Sequence, residues 1–190
     1  MVDALYGEIP SLQLDIEAGM YAAMNHLLHL GHTRIAHLAA AVDAETFHRR
    51  HQAYLQALQA TGVSLTPAYQ VHAPFTIAGA QHAAHQVLEL SDSPSALVCD
   101  SDVLAVGAYR AAKALRRAIP RDLSVVSFDD SVFARILDPE LTTVAIPASA
   151  LGEQALQLLL NVLEKKDVSA QTTVPLELMV RASTSRFSSE

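Results

Sequence analysis

The segment from Ser95 to Pro147 constrains the fold of this chain more than any other. An apolar run, Ala96–Cys99, stops at Asp100-Ser101-Asp102. An amphipathic stretch to about Arg117 follows, and a second apolar run, Leu123–Phe128, stops at Asp129-Asp130. Short apolar runs bounded by turn-forming residues read as strands buried on both faces, and two of them joined by a helix form a parallel pair. Such a unit belongs in an open sheet covered by helices. The crevice at the carboxyl ends of its strands is where open α/β sheets hold small polar ligands. Acids after both strands put carboxylates at that crevice.

The alternation extends along the chain. Ser11–Leu14, after Pro10, reads as a short strand. Met20–Leu30 reads as a helix from the spacing of Met20, Ala23, Met24, Leu27 and Leu28, with Gly31 suited to the left-handed turn that ends it. Arg34–Ala41 is a buried strand, and a helix runs from Thr46 to about Ala60. Tyr69–His72 is a strand, Ile77–Leu90 a helix, Leu141–Ile146 a strand stopped by Pro147, Leu151–Leu163 a helix and Thr173–Arg181 a last strand. Met1–Pro10 holds no complete element, and the residues from Ser183 onward read as a frayed polar tail. Strand and helix in alternation imply a mostly parallel sheet.

Composition narrows the function. The chain has 190 residues and a net charge of −7, which is not the footprint of a nucleic-acid-binding surface. Cys99 is the sole cysteine, so no intrachain disulfide is possible. No export signal opens the chain and no apolar run has membrane-spanning length, so a cytoplasmic protein with no membrane partner is expected. Nine histidines include His26, His29 and His32, then His48 with His51, and His82 with His85, at three-residue intervals. A zinc site needs a further ligand on the same face, and none is supplied nearby, so solvated helix faces are expected and no metal. A glycoside hydrolase needs two carboxylates flanking a bond. Asp100, Asp102, Asp129 and Asp130 lack a positioned general acid, and G-x-S-x-G is absent, so no catalysis and no cofactor are expected.

Several motifs in order resemble the sugar-responsive bacterial transcription regulators of the LacI/GalR family. Leu14-Asp15, Gly19 and Ala23 are similar to that family's V-D-x-x-x-G-x-x-x-A opening, and Leu27–Ala36 to L-x-x-L-G-H-x-R-I-A. Arg49-Arg50 before Tyr54 resembles R-x-x-G-[FY], with Ala53 in place of the glycine. Ser101–Ala108 resembles N-D-x-x-A-x-G-A, Pro120–Asp130 resembles P-x-D-[VI]-S-V-V-G-[FY]-D-D, and Leu141–Pro147 resembles L-T-T-V-x-x-P. The resemblance implies an α/β fold of the periplasmic-binding-protein-like type I, with two parallel-sheet lobes and an effector between them. It assigns 1–41 and 142–165 to an N-terminal lobe and 42–141 and 172–182 to a C-terminal lobe, with 183–190 as the tail. It also implies that the N-terminal lobe is incomplete and that the DNA-binding helix-turn-helix is missing from this chain.

The site residues follow from both readings. A carboxylate accepts hydrogen bonds from two neighbouring sugar hydroxyls, which suits Asp129, the first acid of the family's pair; capping its own loop is the other role open to it. Asp130 is expected to cap or to be solvated. Arg50 matches the family's ligand arginine, and its fork suits hydroxyls or a carboxylate, whereas Arg49 reads as an exposed helix residue. Ser101 stands where the family has asparagine, with shorter reach. Asp102 or Ser101 is suited to cap the helix that follows, and Asp102 reads as a cap rather than a ligand contact. Phe75 lies where an aromatic ring can stack on a sugar face or dock on its own lobe, and Asp15 can line the cleft from the other lobe. The expected protein is the effector-sensing part of a LacI-type regulator. It would bind a sugar or related metabolite, form a homodimer through Met20–Leu30 or Ser131–Leu137, and reach operator DNA only through the missing headpiece. A solute-binding protein of the same fold and a stand-alone dimerisation module are the alternatives.

Overall fold

The computed structural model describes residues 9–188. Most of Met1–Pro10, where no complete element is expected, lies outside them. Eight strands and six helices follow in order: β1 (Ser11–Leu14), α1 (Ile16–His29), β2 (Ile35–Ala40), α2 (Glu45–Thr61), β3 (Gln70–Ala73), α3 (Ile77–Leu88), β4 (Ala96–Cys99), α4 (Asp102–Ala114), β5 (Ser124–Asp129), α5 (Val132–Ile136), β6 (Thr142–Ala145), α6 (Ala148–Leu163), β7 (Gln171–Val174) and β8 (Glu177–Met179).

One sheet has the order β3-β2-β4-β5-β6-β8, parallel except for β8, which runs antiparallel to β6. Successive strand side chains point to opposite faces, and the sequence fills both faces with apolar groups. Ile35, Val98, Val126 and Phe128 meet Met20, Met24 and Leu27 of α1 and Tyr54 and Leu58 of α2. Ala36, Leu38, Leu97, Cys99 and Val125 meet α3 and α4 on the other side. From β2 the chain passes through α2 to β3 at one side; from β4 it passes through α4 to β5 at the other. The connections diverge between β2 and β4, so the crevice of a doubly wound sheet opens there, above the carboxyl ends of those strands. A second, two-stranded parallel sheet pairs β1 with β7 and packs Leu14, Ile16 and Val174 against Leu151 of α6. Leu156, Leu159, Leu160 and Leu163 of α6 are exposed.

These pairings correct the expected division of the chain. β2 and β6, placed by resemblance in the N-terminal lobe, are hydrogen-bonded into the large sheet, and α1 covers that sheet. β2 presents Ile35 to one face and Ala36 and Leu38 to the other, and β6 adds Val144 to the face that α1 covers. The expected last strand is two strands. β7 belongs to the small sheet and β8 to the large one, and Pro175, which has no N–H to give a ladder, lies between them. The tail is a further correction. Ser183 is fully buried; its N-terminal neighbours reach β6, its Oγ donates to Val125 O at 2.6 Å, and the Val125 N–H donates back to Ser183 O at 2.9 Å. Ser185 O accepts from His32, and the Phe187 N–H donates to Leu30 O. The serines are there to satisfy buried backbone groups, which is why this segment is polar without being solvated.

The histidines expected on solvated faces divide. His32 is 3% exposed and bonded to Ser95 and Ser185, and His26 is bonded to Thr184. Burial, and for His32 the neighbouring His26, holds both imidazoles below the ordinary histidine range. His29, His48 and His82 are exposed, as expected.

Candidate functional site

The carboxyl ends of β4 and β5 bring two of the expected residues into contact. Ser101 is the N-cap of α4: its Oγ accepts the Val103 N–H at 3.2 Å and donates to Asp129 Oδ2 at 2.6 Å. Asp129 and Asp130 have φ values of 119° and 55°, a left-handed pair of non-glycine residues at the end of a strand. Such conformations cost about 1–3 kcal/mol each and persist where surrounding contacts over-determine them, commonly at ligand sites. Burial pushes the Asp129 carboxyl up. The Ser101 hydroxyl, the Arg50 guanidinium and the Asp102 N–H counter that rise, and the Asp102 charge adds to it.

Arg50 comes from the first half of α2 and is 3% exposed. It donates to the backbone oxygen of Asp100, and its guanidinium carbon lies 4.2 Å from the centre of the Phe128 ring and 5.5 Å from that of Phe47. A cation held between two rings by cation–π attraction is stiff and pre-aimed. The Phe75 ring packs 5.8 Å from Phe47 and is 43% exposed, so it docks on its own lobe and keeps part of its surface open. The structure thus gathers Asp129, Ser101, Arg50 and Phe75 along one rim of the sheet. Asp15 is at the N-cap of α1 instead, where it accepts the Ala18 N–H at 3.2 Å.

Three expectations are corrected here. Asp102 is no simple cap, because Ser101 takes that place. Asp102 is fully buried and accepts from Ser127, Ser131 and Thr143. Asp130 is not solvated; it accepts from Arg181 at 2.6 Å and from Arg135 at 3.2 Å. Arg49 is not a free surface arginine; it donates to both oxygens of Glu17 and to Leu14 O, tying α2 to the end of β1. Sequence reasoning also passed over Phe47 and His37, and weighed Asp100 and His51 only for a hydrolase and a metal site. His37 is the one with a signal, a basic residue in the middle of the otherwise apolar run Ile35–Ala40.

Residues 24–184 match the family described as periplasmic binding protein-like domain. The chain belongs to that family. Over 178 residues this periplasmic-binding-protein-like domain is 35% identical to the HTH-type transcriptional repressor CytR of Escherichia coli K12, covering 93% of this chain and 52% of that protein. The domain therefore spans about half the length of the curated relatives it matches. It superposes with a TM-score of 0.86 on a sugar-binding LacI-family transcriptional regulator from Escherichia coli complexed with phosphate, at 29% identity, covering 93% of this chain and 63% of that one. It superposes equally well, TM-score 0.86, on a LacI-family regulator from Enterococcus faecium with bound ribose, at 25% identity, covering 97% of this chain and 69% of that one. The doubly wound sheet is the fold these neighbours share.

Proposed function

We propose that this domain is the effector-sensing lobe of a LacI-type transcription regulator and that it binds a sugar or similar polyol in the crevice above β2, β4 and β5. The observation that carries the reading is the rim itself. Asp129, ordered by Ser101, offers acceptors to vicinal hydroxyls; Arg50, fixed between two rings, offers donors; Phe75 offers an apolar face. The ribose complex of the Enterococcus faecium regulator supports the ligand class. The HTH-type transcriptional repressor CytR supports the regulatory role. The protein works in the cytoplasm and catalyses nothing. Among the described residues no helix is long and apolar enough to cross a membrane.

Thermal-shift screening of sugars tests the site. A ligand at a hundredfold its Kd adds about 2.7 kcal/mol of stability, which for a domain of this size raises Tm by roughly 5–11 °C. Asp129→Ala and Arg50→Ala are each expected to weaken that ligand by tenfold or more. Unchanged affinity in both variants would remove the site from this rim.

A homodimer is part of the proposal, with one of its two expected surfaces withdrawn. The apolar face of α1 is spent on the core, since Met20, Ala23, Met24 and Leu27 are fully buried. α5 remains available. Val132 and Ile136 are each 66% exposed, beside a cavity of about 550 Å³ lined by Val106, Tyr109 and Leu137. Sedimentation velocity is expected to show a dimer that Ile136→Glu converts to a monomer; a monomeric parent chain would sink the idea.

A further inference from the structure

The crevice between β2 and β4 contains a pocket that the sugar reading leaves unused. It has a volume of about 340 Å³ and is walled by Asp43, Phe47, His48, His51, His72 and Asp100. Behind its wall lies a buried chain of polar contacts. Asp100 Oδ2 accepts the Ala40 N–H at 2.8 Å, and Asp100 Oδ1 lies 2.9 Å from His37 Nε2. His37 Nδ1 lies 3.2 Å from His51 Nδ1, with the two rings stacked at 17°. Asp100 and His37 are wholly shielded from solvent.

The contacts assign the protons. Burial alone would push the Asp100 carboxyl up, but His37, the Ala40 N–H and the charge of Arg50 hold it below its ordinary range. Ionised Asp100 accepts, so His37 Nε2 carries a hydrogen. The contact between His37 Nδ1 and His51 Nδ1 then holds one hydrogen, on one nitrogen or the other. When that hydrogen is on His51 Nδ1, His51 Nε2 is the atom that takes up the next proton, and a proton there makes His51 a cation at the pocket wall.

What faces His51 decides whether that cation forms. From β2 comes His37, from β3 His72 and Gln70, from the end of β4 Asp100, from α2 Phe47, His48, Arg50 and Tyr54, and from the β2–α2 turn Asp43. Burial, then His37 and His72, hold the imidazole below the ordinary histidine range, and Asp100 and Gln70 pull it back up. The His72 ring, exposed, stands 5.8 Å from that of His51. The 17-residue helix α2 begins at the same pocket, and its N-cap, Ala44, supplies no side-chain acceptor. The amino end of this helix adds positive potential where the histidines converge, offset in part by Glu45 in its first turn. The two carboxylates of the pocket wall are both engaged, Asp100 with His37 and Asp43 with His48 at 2.8 Å.

We propose that this pocket is an anion subsite of the effector cleft, holding a phosphate or carboxylate group of the effector between His51, His72 and the amino end of α2, with a proton taken up at His51 on binding. The proposal rests on the cleft reading above and adds a class of ligand to it: a polyol that carries an acidic group. Binding is tighter at lower pH, because the anion favours protonated His51, and weakens as pH rises past the midpoint of the complex.

The test uses inorganic sulfate, whose charge is constant from pH 5 to 8, and ¹³C-histidine-labelled protein followed by NMR, with resonances assigned by single His→Gln variants. Sulfate is expected to move the His51 and His72 signals along a saturating curve at pH 6 and leave that of His29 in place. At saturation the His51 midpoint should rise by about one unit, equivalent to tenfold tighter binding to the protonated form. His72→Gln, an exposed change that spares the core, should weaken sulfate several-fold, and Asp43→Asn, which frees His48, should strengthen it. The subsite is overturned if His51 and His72 do not move, or if His29 moves in parallel with them. Sugar binding that depends on Asp129 alongside silent histidines would overturn the subsite and leave the cleft. Moving histidines with no stabilising sugar would support the subsite and overturn the polyol reading.

Discussion

Gly107→Ala is expected to lower the stability of this domain by about 3 kcal/mol, the upper part of the range for overpacked sites, and Tm by roughly 6–12 °C, as measured by thermal unfolding followed by circular dichroism. Helix propensity argues the other way, since alanine in mid-helix is worth about 1 kcal/mol over glycine. Space decides. A Cβ on Gly107 would lie 2.5 Å from Ala80 Cβ, 2.6 Å from Gln81 N and 2.7 Å from Ile77 O. Two of those atoms are backbone of α3, so no side-chain rotation relieves the clash and α4 has to back away. That separation strips contacts from Ala80, Ala84, Ala108 and Ala111, the small residues that let the two helices approach so closely. The control is the same substitution at Gly152 on α6, where an added Cβ meets nothing within 4 Å. There only propensity acts, and a gain of up to about 1 kcal/mol is expected. Two losses of equal size would show that the close approach of α3 and α4 is not what Gly107 serves.

Local signals in the sequence carry far, and the places where they stop have a common cause. The apolar runs Ala96–Cys99 and Leu123–Phe128, and the acids that end them, are visible because strand burial and turn chemistry are written in neighbouring residues. The helices are visible for the same reason, to within a few residues at their ends. Which sheet a buried strand joins is not local. Ile35–Ala40 reads the same whether it lies beside β1 or between β3 and β4, and only its hydrogen bonds to those strands decide. Nor is the partner of a polar residue local. His37 finds Asp100 63 positions away, Asp130 finds Arg181 51 positions away, and Ser183 finds Val125 58 positions away. Asp129 was legible as a candidate because it ends a strand, whereas Arg50, Ser101 and Phe75 were singled out through the family's motifs. Phe47 and the histidine pocket were not, because they depend on how α2 lies over the crevice between β2 and β4.

Asp102 shows how deeply that rim is built into the fold, and Asp102→Ala is expected to cost about 4 kcal/mol, the sum of several orphaned donors, with Tm falling by roughly 8–16 °C. The carboxylate is fully buried at the first turn of α4, where the helix dipole favours its charge. It accepts from the Ser127 hydroxyl on β5, from the Thr143 hydroxyl on β6 at 2.9 Å, and from both the N–H and the hydroxyl of Ser131 at 2.7 and 2.8 Å. Truncation leaves those donors facing an apolar void. Asp102→Asn separates charge from geometry. The Ser127 and Thr143 hydroxyls can rotate to suit an amide, but the Ser131 N–H cannot, so a smaller loss of about 1–2 kcal/mol is expected, the cost of one unmet buried donor. The ligand site should register the difference. Ser131 follows Asp129 and Asp130, whose left-handed conformations need anchoring on both sides. Asp102→Ala, assayed below its lowered Tm, is therefore expected to weaken the sugar identified by thermal shift although Asp102 does not reach the crevice, and Asp102→Asn to weaken it less. If both variants lose stability as expected while binding the sugar as the parent does, the strained Asp129 turn is held by something other than the Asp102–Ser131 contact.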